Sequence, residues 1–356
     1  MSQPFRLADL PLRPVPFSEL PYVRGHVDTL VPLADGSVNV SGWMAAPGEP
    51  IEEVEIHHEG RHLETRRIVP RPDVKACYEW LAFADLTGFD FQLPLTAEQA
   101  ARTTRLDLVS RYKGKRRGRM SQLIRADVDR FPSPPEALIY RVSHMRDAHA
   151  FKVRGLKSVG DFFEPFARHG DLTKVRRILD WGCGCGRMSM YVLAADDCPE
   201  FAGCDVDPTA IAWSNENLRR GAFSVLNPLP PAPYPDAHFD LIYSFSVFTH
   251  LTRDVQHAWL KEMRRLLAPG GTFIATTHGQ LALDFALSTL ASRFPREGIA
   301  DAAIDPTLGD IVPENYYRST FQSKEYTLRE FGKYFTPLEY VERGATNMQD
   351  LIVLRK

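Results

Sequence analysis

The sequence predicts an α/β protein built on a mostly parallel sheet and preceded by a small all-β domain. Three observations predict this. An apolar strand, a glycine turn and a helix follow one another between residues 175 and 195, strand–helix alternation continues to residue 356, and short runs of alternating hydrophobicity fill residues 23–124. Parallel strands need crossover helices, whereas antiparallel sheets are built from short alternating strands joined by turns.

The glycine turn is the centre of the α/β part. Residues 178–187 are Ile-Leu-Asp-Trp-Gly-Cys-Gly-Cys-Gly-Arg, so glycine occupies every second position after an acid that ends a buried run. Such a turn lets backbone approach a ligand closely. A dinucleotide-binding turn has the spacing G-x-G-x-x-G, but the sixth position is Arg187 counted from Gly182 and Ser189 counted from Gly184. The spacing therefore argues against NAD.

A second strand–helix unit supports a nucleotide site. The apolar run 201–205 ends at Asp205, and Asp207-Pro208 then opens a helix, with Asp as the N-cap and Pro in the first turn. A carboxylate at the end of the second strand accepts hydrogen bonds from ribose hydroxyls in nucleotide-binding α/β folds. The alternative is that both acids serve only to begin the helix.

The D-x-G-x-G-x-G turn followed by Asp205 resembles the class I S-adenosylmethionine (SAM) methyltransferases, which have a Rossmann-like sheet of seven strands. The resemblance covers residues 131–356 and implies SAM as the cofactor. It also implies that the adenine lies at the end of the third strand, beside Asn227 and walled by Leu226 and Leu229. The cofactor-binding residues implied in this way are Asp180, Trp181, Gly182, Cys183, Gly184, Gly186, Asp205, Val206, Asn227 and Phe245.

The rest of the chain supplies the remaining elements of such a sheet. A long Gly- and Pro-spaced segment, 292–322, is predicted to be a lid or a binding loop. Thr252 is predicted to cap the helix 253–267, and Thr327 and Glu330 form a capping box that predicts another helix. Predicted strands are 222–226, 239–245, 272–277, 338–341 and 351–355, with a further helix over 281–291.

Two histidines are candidate catalytic bases. A hydroxyl acceptor must lose a proton during methyl transfer, and His250 and His278 follow the fourth and fifth strands, where a ligand binds in such sheets. Alternatively, His250 walls the cofactor or fixes the next helix, and His278 merely ends its strand. The stretch 244–251 contains no Asp or Glu, so no metal site is expected.

The chain before the glycine turn divides into three parts. Residues 1–20 are rich in proline and predict an extended arm, residues 21–130 predict a β-sandwich with a hairpin at Glu59-Gly60, and residues 131–174 predict helices. We expect the boundary near residue 130 to be a linker, so that residues 131–356 bind cofactor alone. In the resembled enzymes such helices, here 138–157 and 159–169, fold over the cofactor, so the candidate pocket residues are His144, Arg146, Phe151 and Arg154. The alternative is that these are ordinary amphipathic helices leading into the sheet.

The predicted sandwich resembles small domains attached to bacterial enzymes that build or decorate surface polysaccharides. The shared features are Gly42-Trp43, the hairpin 54–68, the turn 71–74 and Gly88-Phe89. The run 111–119 carries six basic residues. It is interpreted either as a solvated hairpin turn or as a patch for phosphate groups.

Composition limits the class of partner. The net charge is −2, which gives no general attraction to nucleic acid, and five cysteines without a metal-ligand pattern are typical of a reducing, cytoplasmic compartment. No run approaches a transmembrane segment. The leading hypothesis is a cytoplasmic methyltransferase acting on a sugar or polysaccharide-linked hydroxyl. The alternatives are an N- or O-methyltransferase of another small metabolite, with the sandwich forming a homo-oligomer, and a non-catalytic SAM-binding subunit of a glycan-assembly complex.

Overall fold

The computed structural model describes residues 5–12, 17, 19–46, 49–77, 83, 85–100, 102–286 and 298–356. Within them, the N-terminal part forms two antiparallel sheets of four strands each, in agreement with the predicted all-β region. Its elements are β1 (Arg24–Pro32), β2 (Val38–Ala45), β3 (Glu53–His58), β4 (Arg61–Arg67), β5 (Val69–Pro70), α1 (Pro72–Cys77), β6 (Leu86–Leu93), α2 (Ala97–Ala100), β7 (Thr104–Tyr112) and β8 (Lys115–Ile124). The strand orders are β1-β2-β6-β5 and β4-β3-β7-β8.

The two N-terminal sheets bury their inner side chains in one cluster. Val40 and Phe91 come from the first sheet, and Ile56 and Leu108 come from the second. The predicted hairpin joins β3 to β4, and its turn places Glu59-Gly60 in the left-handed region, with φ of 49° and 80°. Every second residue of these strands therefore faces a shared core, as the alternating pattern requires.

The basic run 111–119 is a hairpin turn between β7 and β8. Arg111 and Arg116 both form ion pairs with Glu55, at 2.7 and 2.8 Å, and the turn itself falls at Lys113-Gly114. Arg111 also pairs with Glu53 at 3.6 Å, and Arg117 pairs with Glu49 at 3.3 Å, so three of the six basic residues have acidic partners, as the hairpin interpretation expects. Binding of phosphate groups by this run stays a prediction.

The C-terminal part contains the predicted seven-stranded α/β sheet. Neighbouring strands across this sheet are, in order, residues 222–225, 200–205, 177–181, 239–244, 267–277, 349–355 and 336–345. The first five of these strands are parallel to one another. The elements are α3 (Glu136–Ser143), α4 (Ala148–His169), β9 (Arg177–Trp181), α5 (Ser189–Ala194), β10 (Glu200–Asp205), α6 (Pro208–Asn217), β11 (Ala222–Val225), β12 (Phe239–Ser244), α7 (Arg253–Leu266), β13 (Leu267–Thr277), α8 (Gln280–Ala286), β14 (Ile299–Ile304), β15 (Arg318–Gln322), α9 (Lys324–Phe331), β16 (Thr336–Ala345) and β17 (Gln349–Arg355). Among the described helices, none combines the length and the apolar character that a membrane crossing needs.

Helix α4 joins the two parts. Val153 belongs to the N-terminal core cluster, whereas the Phe162 ring lies 6.0 Å from that of Tyr243 in β12. A Cβ added at Gly160 would lie 2.9 Å from the Leu123 side chain of β8, so the helix and strand are in close contact there. The chain near residue 130 is therefore followed by a tightly packed helix, and the two parts share α4.

Several predicted boundaries need correction. The lead-in helices break at His144, which has φ of 54°, and α4 runs unbroken through the predicted break at residue 158. Helix α9 begins before the predicted capping box, since the Ser323 side chain accepts from Tyr326 N at 3.1 Å. Thr252 precedes α7 but makes no side-chain cap hydrogen bond.

Two further segments also differ from the prediction. The described part of segment 292–322 contains a two-stranded sheet, β14–β15, where only a loop was expected. The end of the predicted helix 281–291 lies outside the described residues. In the N-terminal arm, residues 7–9 form a 3₁₀ turn whose first two amides donate to Asp197, at 2.6 and 3.0 Å.

Candidate functional site

A cavity of about 470 Å³ lies at the carboxyl ends of β9, β10, β12 and β13. Two predicted site residues lie elsewhere: Asn227 is exposed outside the lining, and a Cβ added at Gly186 would lie 2.4 Å from Leu218. The predicted residues that line the cavity are Asp180, Trp181, Gly182, Cys183, Gly184, Asp205, Val206, Phe245, His250 and His278.

The glycine turn needs glycine at both positions that face the cavity. Gly182 has φ of +80°, and an added Cβ would lie 2.2 Å from Val247 Cγ2. Gly184 has φ of +51°, and its Cβ would lie 2.7 Å from Val142 Cγ1. Side chains disfavour this left-handed conformation, and here they would also fill the space between turn and ligand. The alternating glycines thus keep the backbone open to the cavity.

Asp205 fixes the turn to the second strand. Its Oδ2 accepts from Gly184 N at 2.7 Å, and its Oδ1 accepts from Asp207 N at 2.9 Å. Asp207 in turn caps α6 by accepting from Thr209 N at 2.8 Å, as predicted. Each carboxylate oxygen of Asp205 keeps a second lone pair for a ligand hydroxyl. One carboxylate therefore both shapes the turn and offers acceptors at the cavity.

Asp180 is a buried acid whose close donors are the neutral hydroxyls of Ser189 and Tyr243, with Arg187 as a cation further away. Its Oδ2 accepts from Ser189 Oγ at 2.7 Å, and only 4% of the residue is exposed. Burial raises the pKa of Asp180 to about 7. A cationic group bound beside it would offset that burial cost and stabilise the carboxylate.

His250 has a defined orientation on the cavity wall. Its Nδ1 lies 3.0 Å from the Arg318 carbonyl oxygen and 3.5 Å from Asp305 Oδ2. The ring stacks on Tyr317 at 4.1 Å with an interplanar angle of 9°. A carbonyl can only accept, so Nδ1 carries the proton and Nε2 has a free lone pair. Burial lowers the pKa of His250 to about 4, which keeps the ring neutral at pH 7.

His278 is held less firmly. It stacks on Phe321 at 5.2 Å, and its Nδ1 is buried without a hydrogen-bond partner among the described residues. Burial and, to a smaller extent, nearby His250, at a ring distance of 6.1 Å, lower the pKa of His278 to about 3. His250 Nδ1 thus lies within hydrogen-bond distance of a backbone carbonyl, whereas His278 Nδ1 has no such partner among the described residues.

Residues 179–275 match the model of a family described as a methyltransferase domain. The matched stretch runs from β9 to β13 and contains the glycine turn, Asp205 and His250. These residues form a methyltransferase domain. The chain is also 31% identical over 111 residues to ajmaline N-methyltransferase from Rauvolfia serpentina. That alignment covers 30% of this chain and 37% of the relative, so the chain spans well under half of the relative's length.

Solved methyltransferase structures resemble slightly more than half of the chain. One is a SAM-dependent methyltransferase from Methanosarcina mazei, with 20% identity over 54% of this chain and 97% of that chain, and a TM-score of 0.43. Another is the N-methyltransferase NodS from Bradyrhizobium japonicum in complex with S-adenosyl-L-homocysteine, with 16% identity over 51% of this chain and 78% of that chain, and a TM-score of 0.32.

The family match confirms a methyltransferase domain over residues 179–275 and, with it, SAM as the cofactor of that domain. The site fits this cofactor chemically. SAM carries an ammonium group, which the buried Asp180 carboxylate would stabilise. It also carries ribose hydroxyls, whose hydrogen bonds the Asp205 carboxylate would accept. Gly182 and Gly184 would hold the cofactor by backbone, and Trp181, buried against Trp259 at 4.9 Å, would contribute apolar wall.

The methyltransferase domain receives further cavity residues from outside the matched stretch. Of the four candidates before the glycine turn, His144 and Arg154 line the cavity, Phe151 is in the core, and Arg146 is exposed beside Glu136. Residues missed by the sequence analysis come from β1, from the β14–β15 segment and from the β16–β17 hairpin. They are Arg24, His26, Asp305, Tyr317, Thr346, Met348 and Gln349.

Proposed function

We propose that this protein transfers a methyl group from SAM to a hydroxyl of a sugar or of a polysaccharide-linked acceptor, with His250 as the general base. The observation that carries the proposal is the orientation of His250. Its Nδ1–H donates to the Arg318 carbonyl, which leaves Nε2 as an acceptor on the wall of the cavity that the glycine turn also lines.

When bound, SAM supplies the methyl group as an activated sulfonium substituent. A neutral alcohol, with a pKa close to that of water at about 16, is a poor nucleophile and must lose its proton as the new bond forms. His250 Nε2 would accept that proton, because burial keeps the ring neutral and Nδ1 is already protonated. Asp305, 3.5 Å from Nδ1, would stabilise the imidazolium that results.

The N-terminal sheets support the sugar-directed part of the proposal. They share one core cluster, as two faces of a β-sandwich do, and the sequence features shared with domains of polysaccharide enzymes lie in them. We infer that this sandwich accompanies the catalytic domain to a glycan acceptor or its assembly partners, or joins two copies of the chain.

Incubation of the purified protein with SAM and candidate acceptors tests the reaction. Mass spectrometry should show a gain of one methyl group in a sugar-containing acceptor, together with S-adenosylhomocysteine (SAH) as coproduct. Calorimetry with SAH tests the cofactor site separately. Binding of NAD in place of SAH would refute the proposal as a whole, whereas SAH binding with methylation of an aliphatic amine alone would refute its hydroxyl acceptor.

N-methylation is the second candidate, because the curated relative is named as an N-methyltransferase. An amine whose lone pair is free needs no base for the transfer itself. The two candidates therefore differ in how turnover responds to loss of His250. O-methylation should fall steeply, whereas N-methylation of a neutral amine should persist.

A further inference from the structure

We propose that the end of the cavity between β1 and the glycine turn binds an acidic group of the acceptor, a carboxylate or a phosphate. The inference rests on the proposed function and deepens it, since it names the chemical class of the acceptor. Three observations carry it: a half-buried arginine that forms no hydrogen bond or ion pair with a described residue, a buried histidine whose Nδ1 has no hydrogen-bond partner among those residues, and the insertion of a strand from the N-terminal domain into the cavity wall.

The arginine is Arg187, the residue that follows the glycine turn. It lines the cavity, and its guanidinium group stacks over Phe245 at 4.3 Å. Among the described residues, none forms a hydrogen bond or an ion pair with its side chain. Burial and, to a smaller extent, neighbouring Arg154 lower the pKa of Arg187 to about 10, against the opposing effect of Asp180. The group is still charged at pH 7, and the carboxyl group that acts on its pKa, the buried Asp180, forms no ion pair with it, so a half-buried cation faces the cavity only partly compensated.

The histidine is His26 of β1. It is 5% exposed and lines the cavity, and its Nδ1 has no hydrogen-bond partner among the described residues. Burial lowers the pKa of His26 well below its usual range, and Arg154 and Arg24 add to the effect. A neutral ring can present an N–H donor to an oxyanion, and an unpartnered buried nitrogen is costly without a ligand.

Strand β1 is fixed in this position by the β16–β17 hairpin. Arg24 Nη1 donates to Thr346 O at 3.2 Å, and Asn347 Nδ2 donates to Gly25 O at 3.3 Å. Arg24 and His26 therefore reach the cavity from a strand that is tied to the methyltransferase sheet. The N-terminal domain thus supplies part of the wall on which an acceptor would rest.

The charge balance at this end favours an anion. Arg24, Arg154 and Arg187 all line it. Arg154 pairs with Asp28 at 3.5 Å, but the same carboxylate also pairs with Arg71 at 2.9 Å. Arg71 has a second acid in Asp73, at 2.6 Å, which leaves Asp28 available to Arg154. The excess of positive charge at this end therefore comes from the half-buried Arg187, which forms no ion pair with a described residue. Oxyanions are the ligands that guanidinium groups bind most strongly, often through two hydrogen bonds.

Competition between acidic and neutral sugars tests the site. Protein saturated with SAH is titrated by calorimetry with glucuronate, galactose 1-phosphate and galactose. We expect at least one acidic sugar to bind about tenfold or more tightly than galactose, the effect of one charge-assisted hydrogen bond. Arg24→Met should abolish this preference and Arg24→Lys should retain part of it. Arg67→Met, which removes an exposed charge of β4, should leave it unchanged.

Tighter binding of glucuronate would identify the acidic group as a carboxylate, and tighter binding of galactose 1-phosphate would identify it as a phosphate. Equal affinities for all three sugars, or no binding of either acidic sugar, would overturn the inference. If SAH still bound in that experiment, the cofactor site would be unaffected by this result. A preference that survives in Arg24→Met would overturn it too. If Arg24→Met instead weakens SAH more than tenfold, this end of the cavity serves the carboxylate of the cofactor and the acceptor assignment is wrong. Absence of SAH binding to the unaltered protein would contradict the proposed function itself.

Discussion

Replacement of His250 by asparagine removes the proposed base and little else. The Asn amide can donate to the Arg318 carbonyl as Nδ1–H does, at 3.0 Å in the present structure, but it has no counterpart of Nε2. The fold around Tyr317 and the cofactor site should therefore persist. We expect kcat to fall at least about a hundredfold, and the affinity for SAH to stay within a few-fold.

The magnitude follows from the role assigned to Nε2. A positioned general base contributes about 10² to 10⁴ in rate, or about 3–5 kcal/mol of barrier. The low end applies here because a base with a pKa of about 4 is weak, even with Asp305 3.5 Å away to stabilise its protonated form. The same value places the acidic limb of the wild-type pH–rate profile near pH 4, well below the usual histidine value of about 6.5.

Steady-state kinetics between pH 4 and pH 9 with one confirmed acceptor would measure both effects. His278→Asn is the matched control, since its ring lines the same cavity without a backbone partner at Nδ1. A His250→Asn enzyme with near-wild-type kcat would refute the assignment of the base. An acidic limb close to pH 6.5 in the wild type would refute the effect of burial on its pKa.

Four other outcomes are expected. His250 stays neutral when folded but takes up a proton below about pH 6.5 when unfolded, so it should by itself contribute a loss of about 3 kcal/mol of stability between pH 6.5 and pH 4. Denaturant titration of the wild type and of His250→Asn should show a fall that is smaller in the variant by about that amount. Gly182→Ala should weaken SAH at least tenfold in calorimetry, since φ is +80° and its Cβ would meet a side chain at 2.2 Å. Asp205→Ala should do the same, because it loses the ribose acceptor and the bond to Gly184 N. Residues 131–356 alone should unfold at a lower temperature than the full chain, since α4 would lose its β-domain contacts; equal melting temperatures would contradict this.

Local patterns predicted the parts of the fold that depend on near neighbours in sequence. The glycine turn, the cap at Asp207 and the hairpin at Glu59-Gly60 each follow from residues a few positions apart. Both histidines were predicted at the cavity because carboxyl ends of parallel strands meet at one edge of a sheet. Asn227 shows the limit of this argument. It follows its strand as expected, but the side chain is exposed outside the cavity.

The rest could not be predicted, because it depends on packing between distant segments. Nothing in residues 24–26 indicates that they reach a cavity formed more than 150 positions later in the chain. Asp305 and Tyr317 likewise lie near His250 only because β14 and β15 pair and bring their connecting segment to the cavity. The sequence did contain a signal for Asp305 and Tyr317, because the long segment 292–322 was predicted to be a lid or a binding loop. Its two strands were not predicted.

Helix α4 explains why the N-terminal domain and the cofactor site act as one unit. Val153 is part of the N-terminal core, and Arg154, the next residue, lines the cavity. At the following residue, Gly155, an added Cβ would lie 2.5 Å from the Arg187 carbonyl oxygen, so the helix touches the end of the glycine turn directly. A displacement of the N-terminal domain would move α4, and with it the backbone of the residue that supplies the half-buried cation. The positions of β1, of Arg187 and of the glycine turn are therefore set together, and the acceptor end of the cavity belongs to both parts of the chain.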